Sequence, residues 1–217
     1  MSRIGLAKTV GLFLFVGTVS LVWIYFDLKP IASHAVKLHG IEVLIIRHAE
    51  KPDLGSGLSQ TGDIRANAYV NYFRHFTVDG KPLHLDRLFA AKDSDKSHRP
   101  RLTLEPLSQV LGVAIDSRFS DKQSFALAQE IQALPPNQHV LICWRHGEIP
   151  ELLQALAAKP QELLPDGKWP DDVFDWVVEL RFDDKGRLIK GKRDQAQLPD
   201  RFGYPDTNKS ASTNALK

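Results

Sequence analysis

Ile41-Glu42-Val43-Leu44-Ile45-Ile46-Arg47-His48-Ala49-Glu50 is the stretch on which the fold turns. Its first six residues form a short apolar, largely β-branched run, the pattern of a buried strand. A second run of the same character, His139-Val140-Leu141-Ile142-Cys143-Trp144, is followed by Arg145-His146. Two strands therefore end on the same dipeptide. In open α/β sheets ligands gather at the carboxyl ends of strands, so both Arg-His pairs fall where chemistry is expected. The plainer reading is that each His closes a strand and each Arg meets a surface carboxylate; the repetition argues against it.

Working outward, the periodicity predicts a helix from about Gln60 to Phe76, capped by Ser59 and apolar along Ile64, Tyr69, Tyr72, Phe73 and Phe76. A strand is expected at Leu88–Ala91, a helix from about Pro100 to Leu111 stopping at Gly112, and a strand at Val113–Ile115. Asp121 to Leu134 reads as a helix broken by Pro135-Pro136, and a further helix runs near Ile149 to Ala158. Val173 to Phe182 alternates, turns at Asp183-Asp184-Lys185-Gly186 and pairs with Arg187 to Lys192. This alternation of strand and helix implies an α/β fold: a three-layer α/β/α open sheet, mostly parallel, with a C-terminal β-hairpin.

The chain has 217 residues, 43% hydrophobic and 25% charged, enough for one domain with appendages. From Thr9 to Phe26 there are 18 residues without a charge. At 1.5 Å per residue they reach about 27 Å, close to the hydrocarbon thickness of a bilayer. The segment is expected to be one N-terminal transmembrane helix, with Trp23 and Tyr25 at an interface and the body on the exported side. A cleavable signal peptide ending near Ser33-His34-Ala35 is the rival, although the apolar run is long for one. The expected division is an anchor at 1–26, a linker at 27–40, the domain at 41–202 and a disordered tail at 203–217. Setting aside Arg3 and Lys8 reduces the 28 basic residues to 26, equal to the acidic count, so no nucleic-acid partner is expected. Cys143 is the only cysteine, which excludes an intramolecular disulfide and any CxxC site. It is read as an inert core thiol.

The chemistry that paired Arg and His can perform is phosphoryl transfer. A neutral imidazole is a good nucleophile towards phosphorus, and the planar guanidinium donates two hydrogen bonds to phosphate oxygens while keeping its charge.

At this point the motifs resemble a family. Arg47-His48-Ala49-Glu50, then Leu58-Ser59-Gln60-Thr61-Gly62 leading to Arg65-Ala66, then Arg99-Pro100-Arg101-Leu102-Thr103-Leu104-Glu105-Pro106-Leu107, then Arg145-His146-Gly147 are similar, block by block and in order, to the signatures of the histidine phosphatase (phosphoglycerate mutase-like) superfamily. The resemblance implies that His48 is the nucleophile and that Arg47, Arg99 and His146 hold the phosphate. Arg99 stands four residues before Thr103, as the pattern asks, and Arg101 is left as an exposed helix arginine. No metal or organic cofactor is implied. His34, His39, His75, His84, His98 and His139 match no motif.

Three departures stand out. Ala49 and Leu104 replace a commoner Gly and Ala. The glutamate that many members carry between the third and fourth blocks is missing from Ile115-Asp116-Ser117-Arg118-Phe119-Ser120-Asp121. Glu148 is then the nearest candidate for the proton donor, with N-terminal helix capping as its other reading and Asp53 and Glu50 as lesser candidates. The short intervals leave no room for a cap domain. They imply an open pocket for accessible phosphomonoesters, small or attached to an envelope macromolecule. The competing expectation is a catalytically weak phosphate-binding module of the same fold.

Overall fold

In a computed structural model, residues 40–198 are described; the apolar segment at 9–26 and the tail at 203–217 lie outside them. The strand beginning at Glu42 (β1, Glu42–Arg47) is buried along its whole length and occupies the middle of a six-stranded sheet. It runs parallel to β6 (His139–Trp144) in a register that sets Arg47 opposite Trp144. The two Arg-His dipeptides therefore leave neighbouring strands at the same edge. Outside β6 come β4 (Arg87–Ala90) and β5 (Ile115–Asp116), both parallel. On the other side of β1 lie β7 (Trp176–Phe182) and β8 (Leu188–Gln195), an antiparallel hairpin.

Alternate residues of β1 point into two separate cores, as the pleat demands. Leu44 and Ile46 pack with Tyr69 and Phe73 of α1 (Gln60–Arg74) and with Leu104 and Leu107 of α2 (Arg99–Leu111). Val43 and Ile45 face Leu127 and Ile131 of α3 (Ser124–Gln132), Leu152 and Leu153 of α4 (Ile149–Ala155) and Leu163 of α5 (Pro160–Leu163). The three layers follow from this division. Among the described residues no helix is long and apolar enough to cross a membrane.

Several boundaries differ from the sequence reading, each for a local reason. The third parallel strand is Ile115–Asp116 rather than Val113–Ile115. Helix α3 starts at Ser124, not Asp121, because Ser120 and Gln123 close a turn on each other first. Helix α4 ends at Ala155 instead of Ala158, where Ala157 takes a left-handed φ of 60°. Strand β7 begins at Trp176 rather than Val173, because the preceding carbonyls turn inward to a buried arginine. A small hairpin, β2 (Thr77–Val78) and β3 (Lys81–Pro82), was not anticipated. It turns on Asp79-Gly80, both at positive φ, a dipeptide suited to two-residue hairpin loops.

Candidate active site

His48 is the first residue beyond β1, and its backbone N–H still donates to the Trp144 carbonyl at 3.1 Å. It is only 6% exposed. Its Nδ1 lies 2.7 Å from the Ala49 carbonyl, which makes Nδ1 the protonated nitrogen and leaves the Nε2 lone pair for chemistry. Burial first, then the nearby Arg47, Arg99 and His146, push its pKa down to about 4. The ring is neutral throughout the physiological range.

Arg47 is 2% exposed and held by backbone rather than by a carboxylate. Its Nη1 donates to the carbonyls of Pro170 (3.0 Å), Asp171 (2.8 Å) and Val173 (3.0 Å). Its guanidinium carbon sits 3.8 Å from the centre of the Phe174 ring. Nη2 donates to Nδ1 of His146 at 3.2 Å, and Nε has no protein partner. Burial lowers the pKa to about 10 against the smaller opposing pull of Asp171 and Glu50, so the group remains charged. A buried cation with an unfilled donor is costly unless an anion completes it.

His146 opens the single turn of 3₁₀ helix at 146–148. Its ring centre is 6.1 Å from that of His48. Nδ1 accepts from Arg47, so Nε2 carries the proton and donates to Asp171 at 2.8 Å. Burial and then Arg47 lower its pKa, while Asp171 works to raise it.

The third and second sequence blocks are both tied to the first. Thr103, fully buried, donates from Oγ1 to the Arg99 carbonyl (2.8 Å) and accepts from the Ala49 N–H (2.9 Å). One hydroxyl thus joins the loop after His48 to the first turn of α2, which is the physical content of the four-residue spacing from Arg99 to Thr103. Gly62 answers a different need. A Cβ there would come within 2.5 Å of the Glu50 carbonyl oxygen, so only glycine lets α1 start against this loop. Ser59 accepts from the Gly62 N–H as the helix cap, as expected.

Arg99 begins α2, and burial followed by Arg145 lowers its pKa. With His48 and Arg145 it lines a cavity of about 230 Å³, together with Lys92 and Lys96. His146 instead lines a neighbouring cavity of about 480 Å³ with Trp169 and Asp171. The remaining candidates are engaged elsewhere. Glu148 accepts from the exposed Lys122 at 2.6 Å and lines neither cavity. Glu50 is held by Arg65 through Nε and Nη2 at 2.6–3.0 Å. Asp53 is exposed in the loop after His48. Arg101 is half-buried rather than exposed and pairs with Asp93 at 2.8 Å. Cys143 is buried, and burial raises its pKa, in keeping with a core thiol.

Sequence reasoning missed the segment from Pro170 to Phe174. It holds Arg47 through main-chain carbonyls, and Asp171 reaches His146. Carbonyls carry no residue signature, so only the aspartate was visible in principle. Among the described residues no group of three or more His, Cys, Asp or Glu is arranged to hold a metal ion.

No family model matches the sequence, and no curated protein does. Solved structures do share the fold's outline. They include the protein histidine phosphatase SixA complexed with tungstate (15% identity, 74% of this chain and 99% of that one, TM-score 0.47). Phosphoglycerate mutase from Plasmodium falciparum is another (13% identity, 73% and 94%, TM-score 0.47). A mycobacterial glucosyl-3-phosphoglycerate phosphatase is a third (14% identity, 73% and 99%, TM-score 0.46). At these values the likenesses say nothing of activity or substrate, which have to be argued from the pocket.

Proposed function

We propose that this chain is a phosphomonoester hydrolase of the histidine phosphatase superfamily, working through a phosphohistidine on His48 without a metal or organic cofactor. The observation that carries the reading is the pairing of a desolvated, neutral His48 with a buried Arg47 whose donors are not all filled. In the first step Nε2 of His48 attacks phosphorus, the P–N bond forms and the P–O bond to the alcohol breaks. In the second, water attacks the phosphohistidine and gives a proton back to the carboxylate that protonated the alcohol, the P–N bond breaks, and phosphate leaves with His48 restored. Arg47 and Arg99 neutralise the equatorial oxygens in both steps. His146 joins them once an incoming phosphate displaces Arg47 from its Nδ1 and that nitrogen takes up a proton, so that it can donate to a phosphate oxygen. The departing alkoxide needs a proton, and Glu148 is the proposed donor; its ion pair with Lys122 has to open for that role.

The uncharged run at 9–26 supports a membrane anchor, with the catalytic body outside the cytoplasm. Accessible phosphate on envelope components is then the natural substrate class. The test is hydrolysis of p-nitrophenyl phosphate by the purified protein in the presence of chelator. Activity that disappears in His48→Ala supports the proposal. Equal inactivity of both proteins, with phosphate still bound, would make the chain a phosphate-binding module instead.

A further inference from the structure

The ring of His146 is held between two partners, each of which can act in one direction only. Resting on the hydrolase reading, we propose that Asp171 is a positioning residue that lets His146 meet an anion only as an imidazolium, so that each tetrahedral dianion bound draws one proton onto Nδ1 of His146.

A guanidinium can only donate a hydrogen bond, and an ionised carboxylate can only accept one. Nη2 of Arg47 lies 3.2 Å from Nδ1 of His146, and Oδ1 of Asp171 lies 2.8 Å from Nε2. Between them the neutral ring carries its proton on Nε2 and its lone pair on Nδ1. Arg47 is the group that an anion engages, because its Nε is buried with no protein partner. Once Nη2 turns from the ring to the anion, the lone pair on Nδ1 faces a negative oxygen. Moving the single proton across to Nδ1 does not help, since the lone pair on Nε2 would then face the Asp171 carboxylate. A second proton satisfies both sides: Nδ1–H donates to the anion and Nε2–H to Asp171. The balance is one proton taken from solvent for each dianion, with no covalent bond made or broken on the ligand.

Asp171 is fixed by its main chain although its side chain is exposed. Its carbonyl accepts from Nη1 of Arg47 at 2.8 Å, and the Pro170 and Val173 carbonyls on either side hold the same nitrogen. The charged and titratable groups around the ring are Arg47 and His48 at the end of β1, Arg145 just after β6, Asp171 itself, and Asp166 and Lys168 on the wall of the cavity that His146 lines. Burial, Arg47 and Arg145 disfavour the imidazolium, and Asp171 favours it. An anion that engages Arg47 removes part of that opposition and adds an attraction of its own. His48 is the competing proton acceptor, because its Nδ1 is committed to the Ala49 carbonyl and Nε2 is free.

Sulfate is the probe, a tetrahedral dianion that carries no proton of its own near neutral pH. Calorimetric titration of the whole protein in buffers of different ionisation enthalpy counts the protons taken up and gives the affinity at each pH. Wild type should take up close to one proton and bind sulfate about five- to tenfold more weakly at about pH 7.5 than at about pH 6.5, tenfold being the limit for one proton. Asp171→Asn should bind with almost no uptake and nearly constant affinity, because the amide can donate to Nε2 and so permits the neutral Nδ1–H tautomer. His146→Gln should lose the uptake as well. His48→Gln should keep it, as should Asp172→Asn, which changes an exposed neighbour of Asp171. Wild-type binding without proton uptake, or no binding at all, overturns the inference. So does uptake that survives in Asp171→Asn or disappears in His48→Gln, or an Asp171→Asn protein that no longer binds sulfate. If the uptake depends on His146 and Asp171 while p-nitrophenyl phosphate is not hydrolysed, the proton-linked anion site stands and the hydrolase reading alone fails.

Discussion

Protonation of His48 should weaken the fold, and the size of the effect follows from its burial. The unfolded histidine takes up its proton near pH 6.5 and the folded one at about 4. Between those values the unfolded state binds more protons, so stability falls as pH falls. Above about pH 6.5 both states are neutral and the term vanishes; below about 4 it is complete. At about 1.4 kcal/mol per pH unit of separation, the full penalty is about 3 kcal/mol, and near pH 4.5 about 2.5 kcal/mol has developed. The assay is urea unfolding of wild type and His48→Gln at pH 7 and near pH 4.5. Other titrating groups, His146 included, contribute to both proteins and cancel in the comparison. With a slope of about 2 kcal/mol per molar urea, the wild-type midpoint should drop by about 1 M more than that of the variant. Midpoints that fall in parallel would mean that His48 is not held neutral by burial, and the argument for a poised nucleophile would lose its base.

Two further outcomes follow from the contacts around the pocket. Glu148→Gln should slow alkyl phosphates at least tenfold more than aryl phosphates, because aryl leaving groups depart with little protonation; steady-state rates on a matched pair decide it, and equal losses remove Glu148 as donor. Asp171→Asn should move the titration of His146, followed by imidazole NMR, to lower pH, since the carboxylate 2.8 Å from Nε2 is what favours the charged ring; an unmoved titration would show that the pair does not form in solution.

What was legible in the sequence was whatever is written in side-chain pattern. The apolar runs of β1 and β6 announced two buried parallel strands, and the Arg-His repeat announced that their ends would adjoin. The spacings in the second and third blocks were visible as motifs before their reasons were. Gly62 is small because the Glu50 carbonyl lies where a Cβ would be, and Thr103 is a threonine because its hydroxyl bridges Ala49 and Arg99. What was not legible depends on main chain or on long-range pairing. Arg47 is held by three carbonyls that any sequence could offer, and Asp171 reaches His146 from 25 positions away. Asp121 resembled a helix start because aspartate favours that place, yet here it closes the cavity wall on Arg145. Asp79-Gly80 is a hairpin-turn dipeptide, but the strands it joins are two residues each, too short to show a period-two pattern.

The central claim is that His48 carries the phosphoryl group between two displacements. The most direct measurement is rapid acid-free quenching of the protein with a ³²P-labelled phosphomonoester, followed by gel separation under alkaline and acidic conditions. The account predicts a labelled protein stable to alkali, lost in acid, chased by unlabelled substrate at the turnover rate and missing from His48→Ala. Turnover by wild type with no labelled protein at any quench time, or a label that persists in His48→Ala, would contradict it.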